Sequence, residues 1–144
     1  MASFMNVVEI NRSVHDVFAF LADLENVPRW NYAISETRKT SPGEVGAGTT
    51  YEQTRSIPTP SREYLRITSF EPDRQLTVEG TLARYPARLE YIVDEHDGAT
   101  RLTNRVDLEL TGAAKLLGSV AAGRIRSAVA ENLEVLKTLL ESGS

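Results

Sequence analysis

The chain has 144 residues, of which 41% are hydrophobic and 25% charged, proportions typical of one water-soluble globular domain. Its net charge of −4, with no basic stripe, argues against binding to a nucleic-acid backbone as the main function. Cysteine is absent, which excludes disulfides, thiolate nucleophiles and Cys-ligated metals and favours a reducing cytoplasm.

The N-terminal segment predicts a strand followed by two short helices. Phe4 to Ile10 is rich in β-forming residues and predicts the strand. Ser13 is a typical helix N-cap, and Asp16 three residues later completes a pair like a capping box. Asp23 is expected to cap a second short turn, since Pro28 prevents a simple continuation of the first helix.

Period-two alternation then predicts six successive strands. Turn residues separate them, including Pro58-Thr59-Pro60 and the Asp97-Gly98 pair of a tight hairpin. Strands joined in this way form an antiparallel sheet with one face to bury. The predicted segments are Ile34–Thr40, Thr49–Ile57, Arg62–Phe70, Gln75–Leu82, Ala87–Asp94 and Thr100–Thr111.

The C-terminal segment Gly112 to Glu141 contains no proline and predicts one long helix with an apolar stripe. The stripe consists of Leu117, Val120, Ala121, Ile125, Ala128, Val129, Leu133, Leu136 and Leu140. The larger side chains of Ile125 to Leu140 are expected to seal the sheet. The Gly- and Ala-rich half, Gly112 to Gly123, is expected to leave space for a ligand beside Leu117 and Ala121.

Four segments resemble the START-like (SRPBCC) superfamily, also described as the polyketide cyclase/dehydrase and lipid-transport family. They are VVEINRSVHDVFAFLADLENVPRWNYAI, VGAGTTYEQTR, ITSFEPDRQLTVEG and GATRLTNRVDLEL. The matching residues include Asp23, Pro28 and Trp30, then Val45, Gly46, Gly48 and Thr49, then Glu71, Pro72 and Leu76, and finally Gly98, Thr100 and Leu102. Their order and spacing across about 140 residues carry the resemblance.

The resemblance implies an α+β helix-grip fold spanning residues 1–144 as a single domain. In that fold a curved seven-stranded antiparallel sheet wraps around a long C-terminal helix, with two short helices after the first strand. It encloses an apolar pocket, expected here to measure several hundred Å³. Family members bind lipids, sterols, polyketides and other hydrophobic ligands, and some catalyse ring closure, aromatisation or dehydration. No universal catalytic motif accompanies the family, and no metal or cofactor is implied.

Polar residues on one face of the second predicted strand of the meander are candidate ligand contacts. Tyr51, Gln53 and Arg55 share this face, and buried polar groups need partners or a ligand. Two alternatives stay open: Thr50, Glu52 and Thr54 would lie on the inward side, or the face of Tyr51, Gln53 and Arg55 would simply be solvated.

Further candidates each have a structural alternative. Asn104 interrupts an apolar strand face and is either a ligand contact or part of a structural hydrogen bond. Tyr91 suits a pocket wall or core packing. Trp30 suits the pocket mouth or a plug that anchors the short helices. Arg84 and Tyr85 precede Pro86 in a loop that either borders an entrance or is plain surface.

The favoured function is binding of a small hydrophobic or aromatic molecule, and the alternative is a cyclase, aromatase or dehydratase using the same pocket. No Ser–His–Asp arrangement, catalytic carboxylate pair or phosphate loop is visible. His15 and His96 are expected at the surface. A third hypothesis is a module that binds a partner protein, and the sequence leaves open whether the chain forms a homodimer. The sequence predicts no membrane span, no signal peptide and a cytoplasmic location.

Overall fold

The computed structural model describes residues 2–143, in which seven strands form one antiparallel sheet. The strands are β1 (Ala2–Ile10), β2 (Ile34–Lys39), β3 (Thr50–Arg55), β4 (Ser61–Glu71), β5 (Gln75–Leu82), β6 (Tyr85–His96) and β7 (Ala99–Leu108). The helices are α1 (Val14–Ala22), α2 (Val27–Trp30), α3 (Ala113–Leu116) and α4 (Gly118–Ser142), with a 3-10 turn at Leu24–Asn26. The sheet order β1-β7-β6-β5-β4-β3-β2 confirms the predicted meander, with β1 added beside β7.

The short helices begin where the capping residues predict. The Ser13 hydroxyl accepts a hydrogen bond from the Asp16 backbone N–H at 3.1 Å, as an N-cap should. The Asp23 carboxylate accepts from the Glu25 N–H at 3.2 Å and starts the 3-10 turn. Pro28 lies in the first turn of α2, where its missing N–H is not needed.

The C-terminal half of α4 is fixed to the sheet. Leu133, Leu136 and Leu140 are buried in the main core. The Arg12 guanidinium donates to the Leu140 carbonyl at 2.6 Å and to the Gly143 carbonyl at 3.0 Å, which satisfies groups at the helix end that have no partner within the helix. This end of the helix is therefore held both by packing and by hydrogen bonds.

The N-terminal part of the predicted helix differs from the expectation. One continuous helix was predicted from Gly112, but the chain breaks at Leu117, where φ is −107° and ψ is 28°. Gly118 follows at once, and no side chain caps the start of α4. Leu116 and Leu117 are 89% and 60% exposed. The apolar pattern continues through this segment, but no sheet surface covers it, so packing does not keep the helix continuous.

Two strand ends also differ from the prediction and shape the site. β7 ends at Leu108, not at Thr111. β6 begins at Tyr85, two residues earlier than expected, because Ala83 and Arg84 alone form the turn from β5. Both turn residues have positive φ, 52° and 77°, as in a type I′ hairpin turn.

Candidate functional site

Among the spaces that the sheet and the C-terminal helices border in residues 2–143, two meet at one residue. The inner one is a cavity of about 70 Å³, and the outer one is an open cleft of about 540 Å³. Arg55 lines both of them and so stands at their junction. Ligand pockets usually measure roughly 300 to 1,000 Å³. Of these two spaces, only the cleft has the expected size of several hundred Å³.

The inner cavity is mostly apolar with a few polar groups. Its apolar wall includes Leu24, Val27, Leu65, Val78, Leu89 and Leu133. Its polar groups come from Trp30, Gln53, Tyr91 and Asn132 as well as Arg55. The Trp30 indole N–H is buried and has no hydrogen-bond partner within residues 2–143. A buried donor without a partner costs free energy, so this wall would gain from an added acceptor.

A buried polar network forms the floor between the two spaces. Arg55 and Glu63 make a two-point ion pair, with Nε to Oε2 at 2.8 Å and Nη2 to Oε1 at 3.2 Å. The side chains of these residues are only 7% and 2% exposed. The Gln53 amide donates to Glu63 Oε1 at 2.9 Å and accepts from the Thr37 hydroxyl at 3.0 Å.

Glu63 is the centre of this network. Its Oε2 also accepts from the Ala83 backbone N–H at 3.1 Å, so that four donors surround one carboxylate. A buried charge is tolerable when it is paired and hydrogen-bonded in this way. The carboxylate thus neutralises Arg55 and ties β3 and β4 to the turn between β5 and β6.

The outer cleft opens where the helix is not held to the sheet. One wall is apolar and comes from α3 and the first turns of α4, with Leu117, Val120, Ala121 and Ile125. The opposite wall comes from the loop between β3 and β4 and from the Ala83–Tyr85 turn. Ile125 packs against the sheet beside the buried Val106 and Leu108, as expected, but it is only partly buried and also lines the cleft. The fully buried positions of α4 begin at Asn132.

A family model described as "Polyketide cyclase / dehydrase and lipid transport" matches residues 1–141 of the chain. The chain belongs to this family. The resemblance stated from the sequence motifs is thereby confirmed. Among curated proteins, none matches the chain.

Solved structures of similar fold share little sequence with this family member. TTHA0849 from Thermus thermophilus has a TM-score of 0.80 at 14% identity, with 99% of each chain covered. A START superfamily protein from Mycobacterium smegmatis has a TM-score of 0.75 at 14% identity, over 96% of this chain and 98% of that one. The di-domain ARO/CYC StfQ from the steffimycin biosynthetic pathway has a TM-score of 0.78 at 12% identity, with 97% of this chain and 51% of the StfQ chain covered. At these identities the likeness establishes the helix-grip fold alone.

Six of the eight predicted contact residues line one of the two spaces in this family member. Trp30, Gln53, Arg55 and Tyr91 line the inner cavity, and Leu117 and Ala121 line the cleft. The parity left open for β3 is settled, since Tyr51, Gln53 and Arg55 are all buried on the inward face. Trp30 is 5% exposed and packs in the core, which fits a plug better than a pocket mouth.

Tyr51 and Asn104 line neither space and are left out of the proposed site. Tyr51 faces inward but packs in the core. Burial raises the pKa of its hydroxyl, and the Asp23 and Glu25 carboxylates raise it further. The Asn104 amide N–H₂ donates to the Glu90 carbonyl at 3.2 Å, and its side-chain oxygen has no partner within residues 2–143. A structural hydrogen bond, one of the two alternatives for Asn104, is therefore present.

The buried hydroxyl of Tyr51 leads to a stability prediction. It has no hydrogen-bond partner among the described residues, and burial raises the pKa of Tyr51 to about 12. Tyr51→Phe should therefore raise the free energy of unfolding at pH 7 by about 1 kcal/mol. Above pH 10 an unfolded tyrosine loses its proton while the folded one keeps it, so stability falls as pH rises from about 10 to 12. The substitution should weaken this fall.

Urea unfolding at pH 7 and pH 11 measures both effects of Tyr51→Phe. Burial also raises the pKa of Tyr91, so part of the alkaline loss should remain. Tyr64→Phe is the matched control, because that side chain is 63% exposed on β4. A clear loss of stability in Tyr51→Phe at pH 7 would show that the hydroxyl has a partner.

Sequence reasoning missed several polar residues of the site, among them Ser61, Glu63, Arg124 and Asn132. Glu63 alternates with Leu65 and Ile67 on β4, so period two could have placed it inward. Asn132 lies three or four residues from Val129 and Leu136 and therefore on the apolar stripe. Of the two readings for Arg84 and Tyr85, the structure supports the border of an entrance, since both line the cleft.

The histidines lie outside both spaces. His15 is exposed, with Nδ1 3.2 Å from the Asp73 carboxylate. His96 Nδ1 is 2.8 Å from Glu9, although it lacks the alignment of a hydrogen bond.

Within residues 2–143 no group of three His, Asp or Glu side chains could hold a metal ion. Over the same residues, no helix is sufficiently long and apolar to cross a membrane.

Proposed function

We propose that this family member binds a small hydrophobic or aromatic molecule, lipid-like or polyketide-like, in the cleft beneath α3 and the start of α4. The observation that carries the proposal is the cleft itself. Its volume of about 540 Å³ lies within the range of ligand pockets. Leu117 and Val120, on its helical wall, are 60% and 54% exposed, so more than half of each side chain is open to solvent. Covering this surface with an apolar ligand would be favourable by about 25 cal/mol per Å².

The inner cavity has a secondary role in this proposal. It is too small for a ligand of drug size, but it continues the cleft past Arg55. Tyr91 and Asn132 on its wall could orient the polar end of a ligand that reaches inward. The buried Arg55–Glu63 pair supports this floor and fixes the depth of the cleft.

The experiment is a fluorescence titration with N-phenyl-1-naphthylamine, an uncharged probe that brightens in apolar surroundings. We expect saturable binding and displacement by apolar competitors such as decanol, a sterol or naphthol. Unfolding should move to higher temperature, because a ligand at about 100 times its Kd stabilises a protein by roughly 2.7 kcal/mol. Neither saturable fluorescence nor a thermal shift with any of these compounds would refute the proposal.

An enzyme using the same site is the alternative, favoured by one arrangement of groups. Arg55 and Tyr91 line the same cavity, and a guanidinium and a neutral phenol can polarise a carbonyl oxygen. Arg55→Ala is a poor test of this alternative, because it would leave Glu63 buried without its counter-ion. Turnover of a polyketide-like substrate that is lost in Tyr91→Phe but retained in Tyr64→Phe would favour catalysis over binding alone.

A further inference from the structure

The charge pattern of the cleft suggests which class of molecule it takes. Thirteen residues line the cleft; three are arginines and none is Asp or Glu. The chain as a whole carries 20 acidic and 16 basic residues. A wall with cations and no anions is therefore unlike the rest of the protein, and it would attract an anion.

The three arginines differ in how far their charge is already neutralised. Arg55, at the inner end, is paired with Glu63. Arg84 and Arg124, at the outer end, belong to no ion pair within residues 2–143. Arg84 donates only to the neutral Thr59 hydroxyl, at 2.8 Å. Uncompensated positive charge thus lies at the mouth, whereas the inner end is close to neutral.

Arg84 occupies its position at a conformational cost. Both residues of the β5–β6 turn are in the left-handed region, where side chains other than glycine are disfavoured. Such a turn ordinarily takes Asn-Gly or Asp-Gly. In this geometry the Ala83 N–H donates to Glu63, and Arg84 lines the cleft. Backbone strain that persists beside a cleft is typical of ligand-binding positions.

The inner end of the cleft offers neutral polar groups in place of free charge. Ser61 lies opposite Arg55 in the β3–β4 pairing, and both line the cleft. The Ser61 hydroxyl is buried and has no hydrogen-bond partner among the described residues. This end suits a carbonyl or hydroxyl of a ligand, while the middle of the cleft is apolar.

We infer that the ligand is an amphipathic organic acid, with its anionic group held at the mouth by Arg84 and Arg124 and its apolar body along α4. This inference rests on the proposed function and adds the charge of the ligand and its direction in the cleft. Charge-assisted hydrogen bonds from arginine to a carboxylate or sulfonate supply the recognition.

The test compares 1-anilinonaphthalene-8-sulfonate with N-phenyl-1-naphthylamine, which is the same aromatic body without the acid. The double variant Arg84→Gln/Arg124→Gln should bind the sulfonate about tenfold more weakly and the uncharged probe within about twofold of the parent protein. Raising the salt concentration should weaken the binding of the sulfonate and leave the binding of the uncharged probe unchanged. Arg126→Gln is the matched control, since it removes one charge from the same helix outside the cleft and should change neither affinity.

The outcomes separate this inference from the proposed function. If the uncharged probe binds and the double variant leaves the sulfonate affinity unchanged, the inference is overturned and the proposed function stands. If the double variant weakens both probes equally, the arginines act through packing and the inference is likewise overturned. If neither probe binds the parent protein, both proposals fail.

Discussion

Glu63→Gln should lower the free energy of unfolding by about 3 kcal/mol, because it leaves the buried Arg55 without its counter-ion. The side chains of Arg55 and Glu63 are 7% and 2% exposed, so water cannot replace the lost charge. All four contacts to the Glu63 carboxylate come from N–H donors. A glutamine would point its own N–H₂ group at two of these donors, since each carboxylate oxygen accepts two of the four, which adds unsatisfied polar groups to the unpaired charge.

Urea unfolding followed by the fluorescence of Trp30, the only tryptophan, measures this loss. Glu36→Gln makes the same change at an exposed position on β2 and should alter stability by less than about 0.5 kcal/mol. The double variant Arg55→Leu/Glu63→Leu removes both charges and should be more stable than Glu63→Gln. A Glu63→Gln protein as stable as the parent would mean that the pair is not buried in solution.

Ala121→Phe should weaken binding of N-phenyl-1-naphthylamine about tenfold or more while the fold is retained. Ala121 lies on α4 in the middle of the apolar wall of the cleft and belongs to neither buried core cluster. A phenyl ring there would occupy space that the ligand needs. The core residues Leu133, Leu136 and Leu140 lie at least three helical turns away and should pack as before.

Ala128→Phe is the matched control for the filled cleft. It makes the same exchange at an exposed position of α4 outside the cleft, with the same small cost in helix propensity of about 0.5 kcal/mol. Equal probe affinity in Ala121→Phe and Ala128→Phe would place the ligand elsewhere in the molecule. Weaker binding in both variants would indicate a general effect on the helix.

The strands and their order could be predicted because each carries its own period-two pattern and is bounded by turn residues. The family resemblance implied that β1 belongs to a seven-stranded sheet, but its pairing with β7 is contained in no local pattern and is seen only in the structure. The break at Leu117 could not be predicted in this way. Its apolar period continues that of α4, and the structure adds that Leu116 and Leu117 are exposed, so packing does not hold this segment in one helix.

The sequence predicted which residues of β3 share a face, but left open whether that face points inward and how deep the site is. Alternation placed Tyr51, Gln53 and Arg55 on one side of β3, and all three are buried there. Alternation does not say how far along the strand the cavity extends, and Tyr51 lies beyond its end. The partner of Arg55 was missed for a related reason: Glu63 is set directly opposite Gln53 by the β3–β4 register. That register is a property of the hairpin and not of either strand alone.

The division of the C-terminal helix into a sealing half and an open half was anticipated from the sizes of its side chains. Ile125 does pack against the sheet, as expected, but it stays partly exposed. Burial starts at Asn132, and Arg12 holds the far end through the Leu140 carbonyl. Contacts between distant segments set this boundary, and they depend on the tertiary structure.

The most direct test of the account is a map of backbone amide shifts in ¹⁵N-labelled protein titrated with N-phenyl-1-naphthylamine. We expect the largest shifts at 113–125 and 83–85, on both walls of the cleft, and small shifts at the buried C-terminal turns of α4. Shifts confined to the outer face of the sheet, or no saturable shifts at all, would contradict a ligand site in the cleft.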